Sequence, residues 1–442
     1  MTQAREQQAS TIDEVWFLSS ELEGERAGAH RQVRWCRIFL EAGARIVIFN
    51  IRGAFHVSET RLDSLAAFET FRHRVLDGAK RVSGIREGAL VPLLRRVKHL
   101  LLADMYLPNV ARLFLRTRRR LVSGSARIAI MPSSPPFSVA LVGAALKRLY
   151  PRRVLLALDM RDAWALHPEL RGSTWLKRRI EQWVLRSADH VSTMSVDLAD
   201  EMTKTHGVPF EVYYNVATHY FDVQPTLPID WKALDARIDP ARRKLVYTGS
   251  TPEGFYDVGA LVGGVRQLRA TRPDLADSLQ LVFVGANAEV EHEVARQGGT
   301  GDSFVFTGLV PHEQAKAIQQ NADAFLFFAF HRGGNKGIVS TKFFEYLALG
   351  KPVLPISVSK GSDIDTLLAR FAGRSCRLNS AGEVAEALAR VAEGCAHAHL
   401  PTVEEPGSLR VLAEDYRRFA RAVMRGEAAP AGPAAVMDGG RG

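Results

Sequence analysis

Cysteine is scarce in this chain of 442 residues: there are three, Cys36, Cys376 and Cys395, far apart and with no Cys-x-x-Cys pair. That spacing excludes a disulfide framework and a cysteine zinc site, and it fits a reducing cytoplasm. Long apolar runs are missing too. None approaches the roughly 18 residues that span a bilayer. Leu100–Leu102 and Val154–Leu158 are short, and Asp104 and Asp159 follow close behind. Met1 to Asp13 is polar without an apolar core, so no secretory signal is expected. Negative charge is lacking in one place. From Arg72 to Arg120 there are 13 Lys or Arg against three acids, Asp77, Glu87 and Asp104. The stretch has few aromatics and no recognised nucleic-acid motif, so nucleic acid is not an expected partner. Basic segments interleaved with Leu, Val and Phe, such as Arg116-Thr117-Arg118-Arg119-Arg120, suit either an anionic membrane surface or a solvated face.

What is present is ordinary globular composition, 46% apolar and 24% charged, with a net charge of +10. The length suits two domains of about 200 residues each. The run Val15–Leu18, a loop with Gly24 and Gly28, a helical pattern from about Ala29 to Ala42 and the strand Arg45–Phe49 form a βαβ unit. Strand patterns recur at Ile128–Met131, Val154–Leu158, His190–Thr193 and Glu211–Tyr214. A second series starts at Lys244–Thr248 and continues through Leu279–Val284, Phe304–Thr307, Ala324–Phe328 and Pro352–Ile356. The expected division is a first domain over 1–225 and a second over 240–400. A final helix over 408–425 is long enough to cross back to the first, and a disordered Ala/Gly/Pro-rich tail is expected over 427–442.

The most informative segment is Lys336 to Val353. A glycine-bearing loop with Lys336 and Gly337 leads to Ser340 and Thr341, both good N-cap residues. The helix from Lys342 then stops at Gly350. A helix start with a lysine is a ready anion site, and Glu345, one turn in, can accept hydrogen bonds from a diol. The plain alternative is an amphipathic helix with a Lys342–Glu345 surface pair.

The run Ser340-Thr341-Lys342-Phe343-Phe344-Glu345-Tyr346-Leu347-Ala348-Leu349-Gly350-Lys351-Pro352-Val353 resembles the donor-site helix of family 4 glycosyltransferases, in particular those that build bacterial surface polysaccharides. Asp159-Met160-Arg161-Asp162-Ala163-Trp164 is similar to the Asp-Leu-Arg-Asp-Pro-Trp loop of many members. Ser133-Ser134-Pro135-Pro136 is similar to a segment of the same subgroup. The resemblance implies an α/β protein of two facing Rossmann-like, doubly wound domains, the GT-B fold. It implies transfer of a hexose from a nucleotide diphosphate sugar to a glycan or lipid-linked acceptor, with retention of configuration. No metal or further cofactor is implied, and the nucleotide sugar is a co-substrate.

On that resemblance Gly249, Lys336, Gly337, Ser340, Thr341, Lys342 and Glu345 belong to the donor side. Gly28, Ser134, Arg161 and Asp162 belong to the acceptor or sugar side, with Asp162 and Glu345 as the catalytic candidates. Two departures stand out. Gly337 occupies the position of the first Glu of the usual Glu-x7-Glu pair. Ser250 and Tyr256 stand about where an Arg and a Lys usually clamp the diphosphate. Asp363-Ile364-Asp365 could be read as a metal pair but follows Gly361-Ser362 as a helix cap would. A nucleotide-sugar 2-epimerase and a non-catalytic binding protein of the same fold are the alternatives.

Overall fold

The computed structural model describes residues 11–20, 27–52, 56–79, 107–165, 174–216, 226–298, 301–330 and 339–429. They form two compact units. One holds the described residues up to Tyr214 together with those from Glu414 onward, and the other holds Asn215–Ala413. The division thus falls ahead of the proline-bearing stretch 222–240.

The first unit runs β1 (Glu14–Ser19), α1 (Ala27–Glu41), β2 (Arg45–Arg52), β3 (His56–Leu62), α2 (Leu65–Ala79) and α3 (Leu107–Ser123). It continues with β4 (Ile128–Ser134), α4 (Phe137–Leu149), β5 (Val154–Met160), α5 (Thr174–Leu185), β6 (His190–Thr193), α6 (Val196–His206) and β7 (Glu211–Val212). The sheet order is β3-β2-β1-β4-β5-β6-β7. Every pairing is parallel except β2 with β3. Strands β4 and β5 are buried along their whole length, because helices cover both faces of a parallel sheet. Strand β3 is absent from the sequence reading. Its residues His56-Val57-Ser58-Glu59-Thr60-Arg61-Leu62 carry no apolar alternation, and the antiparallel register with β2 alone defines it.

The second unit runs β8 (Arg243–Thr248), α7 (Gly259–Thr271), β9 (Leu279–Val284), α8 (Ala288–Arg296), β10 (Phe304–Gly308) and α9 (His312–Gln320). Next come β11 (Ala324–Phe328), α10 (Thr341–Ala348), β12 (Val353–Ile356), α11 (Asp363–Ala372) and α12 (Ala381–Ala392), with short helical turns between. Its all-parallel sheet has the order β10-β9-β8-β11-β12. In both sheets the order reverses beside the first strand, at β1/β4 and at β8/β11. Ligands of such sheets bind beyond the carboxyl ends of the strands at that switch point.

The last helix, α13 (Arg410–Met424), places Tyr416, Phe419 and Val423 in the core of the first unit. Phe419 packs on Trp35 and Tyr213, and the Met424 carbonyl accepts from the Ile12 amide. The expected disorder from 427 does not hold for its first residues. The Glu427 carbonyl meets His190 Nε2 at 2.8 Å, and the Ala429 amide donates to the Asp189 carbonyl. Residues 430–442 lie outside the described residues. Among the described residues no helix is long and apolar enough to cross a membrane.

Candidate functional site

Strand β8 ends at the switch point of the second sheet in Thr248, Gly249 and Ser250. Gly249 has φ +132°, where side chains are strained. Its carbonyl lies so close to Gly285 that a Cβ on Gly285 would overlap it. A Cβ on Gly249 itself would collide with the ammonium of Lys342. The two glycines leave an open stretch of backbone, and Lys342 reaches over it from α10. The Lys342 Nζ donates to Tyr247 Oη at 2.9 Å and sits 4.4 Å above the Tyr247 ring. Burial lowers the Lys342 pKa below the usual lysine value, against the opposing pull of Tyr256 and Glu345. Burial also pushes the Tyr256 phenol up to about 12. Lys342 therefore stands beside this backbone, where Ser250 and Tyr256 bring no charge.

Helix α10 is fixed at this place by its apolar side. Tyr346 stacks on Phe325 at 4.1 Å, and its Oη accepts from the Thr248 amide at 2.8 Å. Phe343 packs on Phe327. The polar side carries Glu345, whose Oε2 accepts from Gln319 Nε2 at 3.1 Å. The same Gln319 nitrogen donates to Thr248 Oγ1 at 2.8 Å. Burial raises the Glu345 pKa above the ordinary glutamate value, opposed by the Gln319 hydrogen bond and the charges of His312, Lys342 and Lys316.

Ser340 takes the N-cap position, but its side chain makes no capping hydrogen bond. The Thr341 hydroxyl is buried without a hydrogen-bond partner. Neither hydroxyl caps the helix start, where the first-turn amides have no intrahelical acceptor. Gly350 takes φ +62° after the helix, as its place in the sequence led one to expect. Lys336 and Gly337 lie outside the described residues, as does Gly24. The structure accordingly brings together Gly249, Ser340, Thr341, Lys342 and Glu345, and adds Tyr247, Thr248 and Gln319.

The acceptor-side candidates belong to the first unit. Asp159, at the end of β5, is wholly buried. It takes Arg31 Nε at 2.9 Å and Nη2 at 2.7 Å, Ser133 Oγ at 2.9 Å and Ser192 Oγ at 3.3 Å. Burial alone would raise its pKa, but Arg31, Arg161 and Ser133 hold it below the usual aspartate value. Arg31 is equally buried and also donates to Tyr416 Oη at 2.9 Å. Burial would lower its pKa, yet Asp159, Tyr416 and Tyr213 outweigh that and raise it. This carboxylate is saturated, and its role is to pin β5, α1 and α13 together.

Asp162, three residues on, is half-buried in the loop after β5. Arg161 is turned inward, donating through Nη2 to the Pro135 carbonyl at 2.6 Å. Trp164 stacks on Phe137 at 4.1 Å, and its amide donates to buried Glu181. Arg161 and Trp164 thus hold the loop to the start of α4. Ser134 is buried with its Oγ lacking a hydrogen-bond partner, and Ser138 in the first turn of α4 is the same. Gly28 lies in the first turn of α1, so the expected glycine loop starts helical two residues sooner than its sequence suggested. The Arg31–Asp159 pair escaped sequence reading because its members are 128 residues apart. No local signal marks it.

Asp365 stands in the first turn of α11, three residues after the N-cap Ser362. Its carboxylate accepts from the Gly361 amide at 2.8 Å and from Arg377 at 3.0 Å at the start of α11. Among the described residues no group of three His, Cys, Asp or Glu is placed to hold a metal.

No family model matches the chain, and no curated protein matches it by sequence. Solved structures do. The sucrose-phosphate synthase of Thermosynechococcus elongatus superposes with a TM-score of 0.55 at 14% identity, over 93% of this chain and 98% of that one. An OtsA apo structure gives 0.58 at 11% identity, over 95% and 100%. The α,α-trehalose 6-phosphate synthase of Burkholderia multivorans gives 0.56 at 12% identity, over 94% and 96%. The fold is GT-B. At these identities the likeness extends to the fold alone. In this GT-B chain Gly249 follows β8 beside the switch point, Ser340, Thr341, Lys342 and Glu345 lie at the start of α10, and Ser134, Arg161 and Asp162 lie where β4 and β5 end.

Proposed function

We propose that this chain is a glycosyltransferase that moves a hexose from a nucleotide diphosphate sugar to a glycan or lipid-linked acceptor. The reading that goes with its sequence resemblance is family 4 chemistry with retention, in surface polysaccharide or glycolipid synthesis at the inner face of the plasma membrane. The observation that carries the proposal is Lys342 suspended over the bare backbone of Gly249, with the start of α10 and Glu345 beside it.

The chemistry follows from those groups. A diphosphate leaving group gains negative charge as the glycosidic bond breaks. A helix start and a lysine ammonium in a partly desolvated site stabilise that charge more in the transition state than before it. Lys336 and Gly337, outside the described residues, join the donor side on the sequence resemblance alone. Glu345 accepts hydrogen bonds from the ribose hydroxyls. Asp162, with Arg161 and Ser134 behind it, orients the acceptor hydroxyl. Its proton passes to the departing phosphate as the new bond forms on the same face of the sugar. Both bonds change on one face, so the anomeric configuration is kept without a carboxylate nucleophile.

The test is a thermal-shift panel of UDP-, GDP-, ADP- and TDP-sugars, with Glu345→Ala as the control. A ligand at about 100 times its Kd adds roughly 2.7 kcal/mol of stability. A shift with one nucleotide class, lost in the variant, is the expected result. No shift with any of them would favour a non-catalytic binding protein of the same fold.

A further inference from the structure

Helices α3, α4 and α5 pack side by side, α3 on α4 and α4 on α5. They carry five, two and three Lys or Arg respectively. Their single acid, Glu181, is buried, and so is one of the bases, Lys177. The same three helices hold six of the eight exposed large apolar residues among the described residues: Leu115, Val122, Leu149, Trp175, Leu176 and Trp183. Trp175 is 68% exposed and Leu149 57%. Scattered exposed leucines are common on any surface. Clustering of three quarters of them on one strongly basic helical layer is not.

Arginines link the helices across this layer. Arg118 Nε donates to Tyr150 Oη at 3.0 Å just past the end of α4. The Arg148 guanidinium lies 5.6 Å from the Trp183 ring, and that of Arg179 lies 5.5 Å from the Trp175 ring. At one end the layer opens into a groove of about 710 Å³. One wall is the face of α3 bearing Arg112, Leu115, Arg116 and Arg119, at helical spacing. The other is the face of β3 bearing Val57, Glu59 and Arg61, at alternate residues. Glu59, the one acid among the groove's lining residues, pairs with Arg61, Arg116 and Arg120. Arg120 is further taken by Glu14.

We propose that the outer face of α3, α4 and α5 is a seat for an anionic phospholipid surface, with the arginine groove receiving a headgroup phosphate. Arginine matches a phosphate in a fork-like, bidentate geometry. Tryptophan and leucine at the rim enter the boundary between headgroups and acyl chains, where an amphipathic ring is most stable. A soluble phosphate would use the groove and leave the exposed tryptophans without a partner. A second copy of the chain would bring arginine against arginine. The inference does not depend on the donor site, so either can fail alone.

The experiment is flotation of the full chain with phosphatidylcholine vesicles, with and without phosphatidylglycerol. The chain is expected to float only with the doped vesicles and to be released by salt. At about 1 kcal/mol for each basic residue near the surface, the double variant Arg112→Gln, Arg119→Gln should partition about thirty-fold more weakly. Arg266→Gln with Lys360→Gln, two exposed positions of the second unit, removes the same charge and should lose far less. Trp175→Ser with Trp183→Ser should lower partitioning about ten-fold through lost apolar contact. Thermal unfolding of each variant confirms that it is folded.

No flotation of the chain with doped vesicles overturns the proposal. Equal losses in the two charge pairs, or unchanged partitioning of the tryptophan variant, also overturn it. Stabilisation by inorganic phosphate without vesicle binding would reassign the groove to a soluble anion. A concentration-dependent dimer abolished by the tryptophan variant would reassign the face to self-association.

Discussion

The charged clusters of the two units make opposite use of similar chemistry. In the first unit Arg31 and Asp159 are closed in on themselves: guanidinium, carboxylate, hydroxyls and carbonyls answer one another, and neither residue reaches solvent. Among the described residues of the second unit, Lys342 has one hydrogen bond, to Tyr247, and Glu345 one, from Gln319. An ammonium can donate three and a carboxylate accept about four. The saturated pair is structural and the open pair is the candidate site. What separates them is the count of satisfied lone pairs and protons, not the residue types.

Breaking the first cluster should have the largest effect. Arg31→Met leaves Asp159 charged and buried, at a cost of about 3–5 kcal/mol of stability. Chemical denaturation measures this, and a loss under 1 kcal/mol would mean that the pair is not the pin described here. Lys342→Met should do the reverse. It removes a partly desolvated charge, so the melting temperature should hold. Nucleotide-sugar binding should weaken by about 1.5–3 kcal/mol, the worth of hydrogen bonds to a charged group. Calorimetry showing unchanged affinity in the folded variant would remove Lys342 from the donor site.

Gly249→Ala combines a strained φ with crowding against Lys342. It should cost roughly 1–3 kcal/mol and weaken the same ligand. Normal binding by the variant would show that the bare backbone at 249 is not needed.

A smaller effect sharpens the contrast through pH. The Glu345 pKa is raised in the folded state, so its contribution to stability is fully present below the ordinary glutamate value. That contribution is lost as pH rises through the raised folded value. Melting curves of the chain and of Glu345→Gln should therefore diverge across that window, with the chain falling behind as pH rises. Parallel curves would count against burial at this position. Ser134→Ala should be smallest of all, within about 0.5 kcal/mol of neutral in stability, because the hydroxyl it removes has no partner. A raised KM for acceptor with stability unchanged would put Ser134 on the acceptor side. A large loss of stability would show that its hydroxyl is engaged after all.

The alternating strand and helix patterns of both halves were legible in the residues, since buried parallel strands read as short apolar runs between glycine-bearing turns. Strand β3 was not legible, because its alternation is polar and only its register with β2 makes it a strand. The basic character of 72–120 was plain in the sequence, but its partition was not. Arg120 is committed to Glu14 and Glu59, while Arg112 and Arg119 line a groove. Trp175 and Trp183, on a helix outside that stretch, join the same face only through packing.

Local order alone therefore determined the elements, their βα succession and the placement of Lys342 and Glu345 at the start of a helix. A helix cap, a 3.6-residue period and a stop glycine act over a few residues and can be read there. Tertiary structure decided which charges are spent and which remain. Asp159 is spent because Arg31, 128 residues away in the sequence, arrives at the end of β5. Whether Lys342 lies over Gly249 depends on two strands and a helix closing around one turn, and no local run of residues encodes that distance.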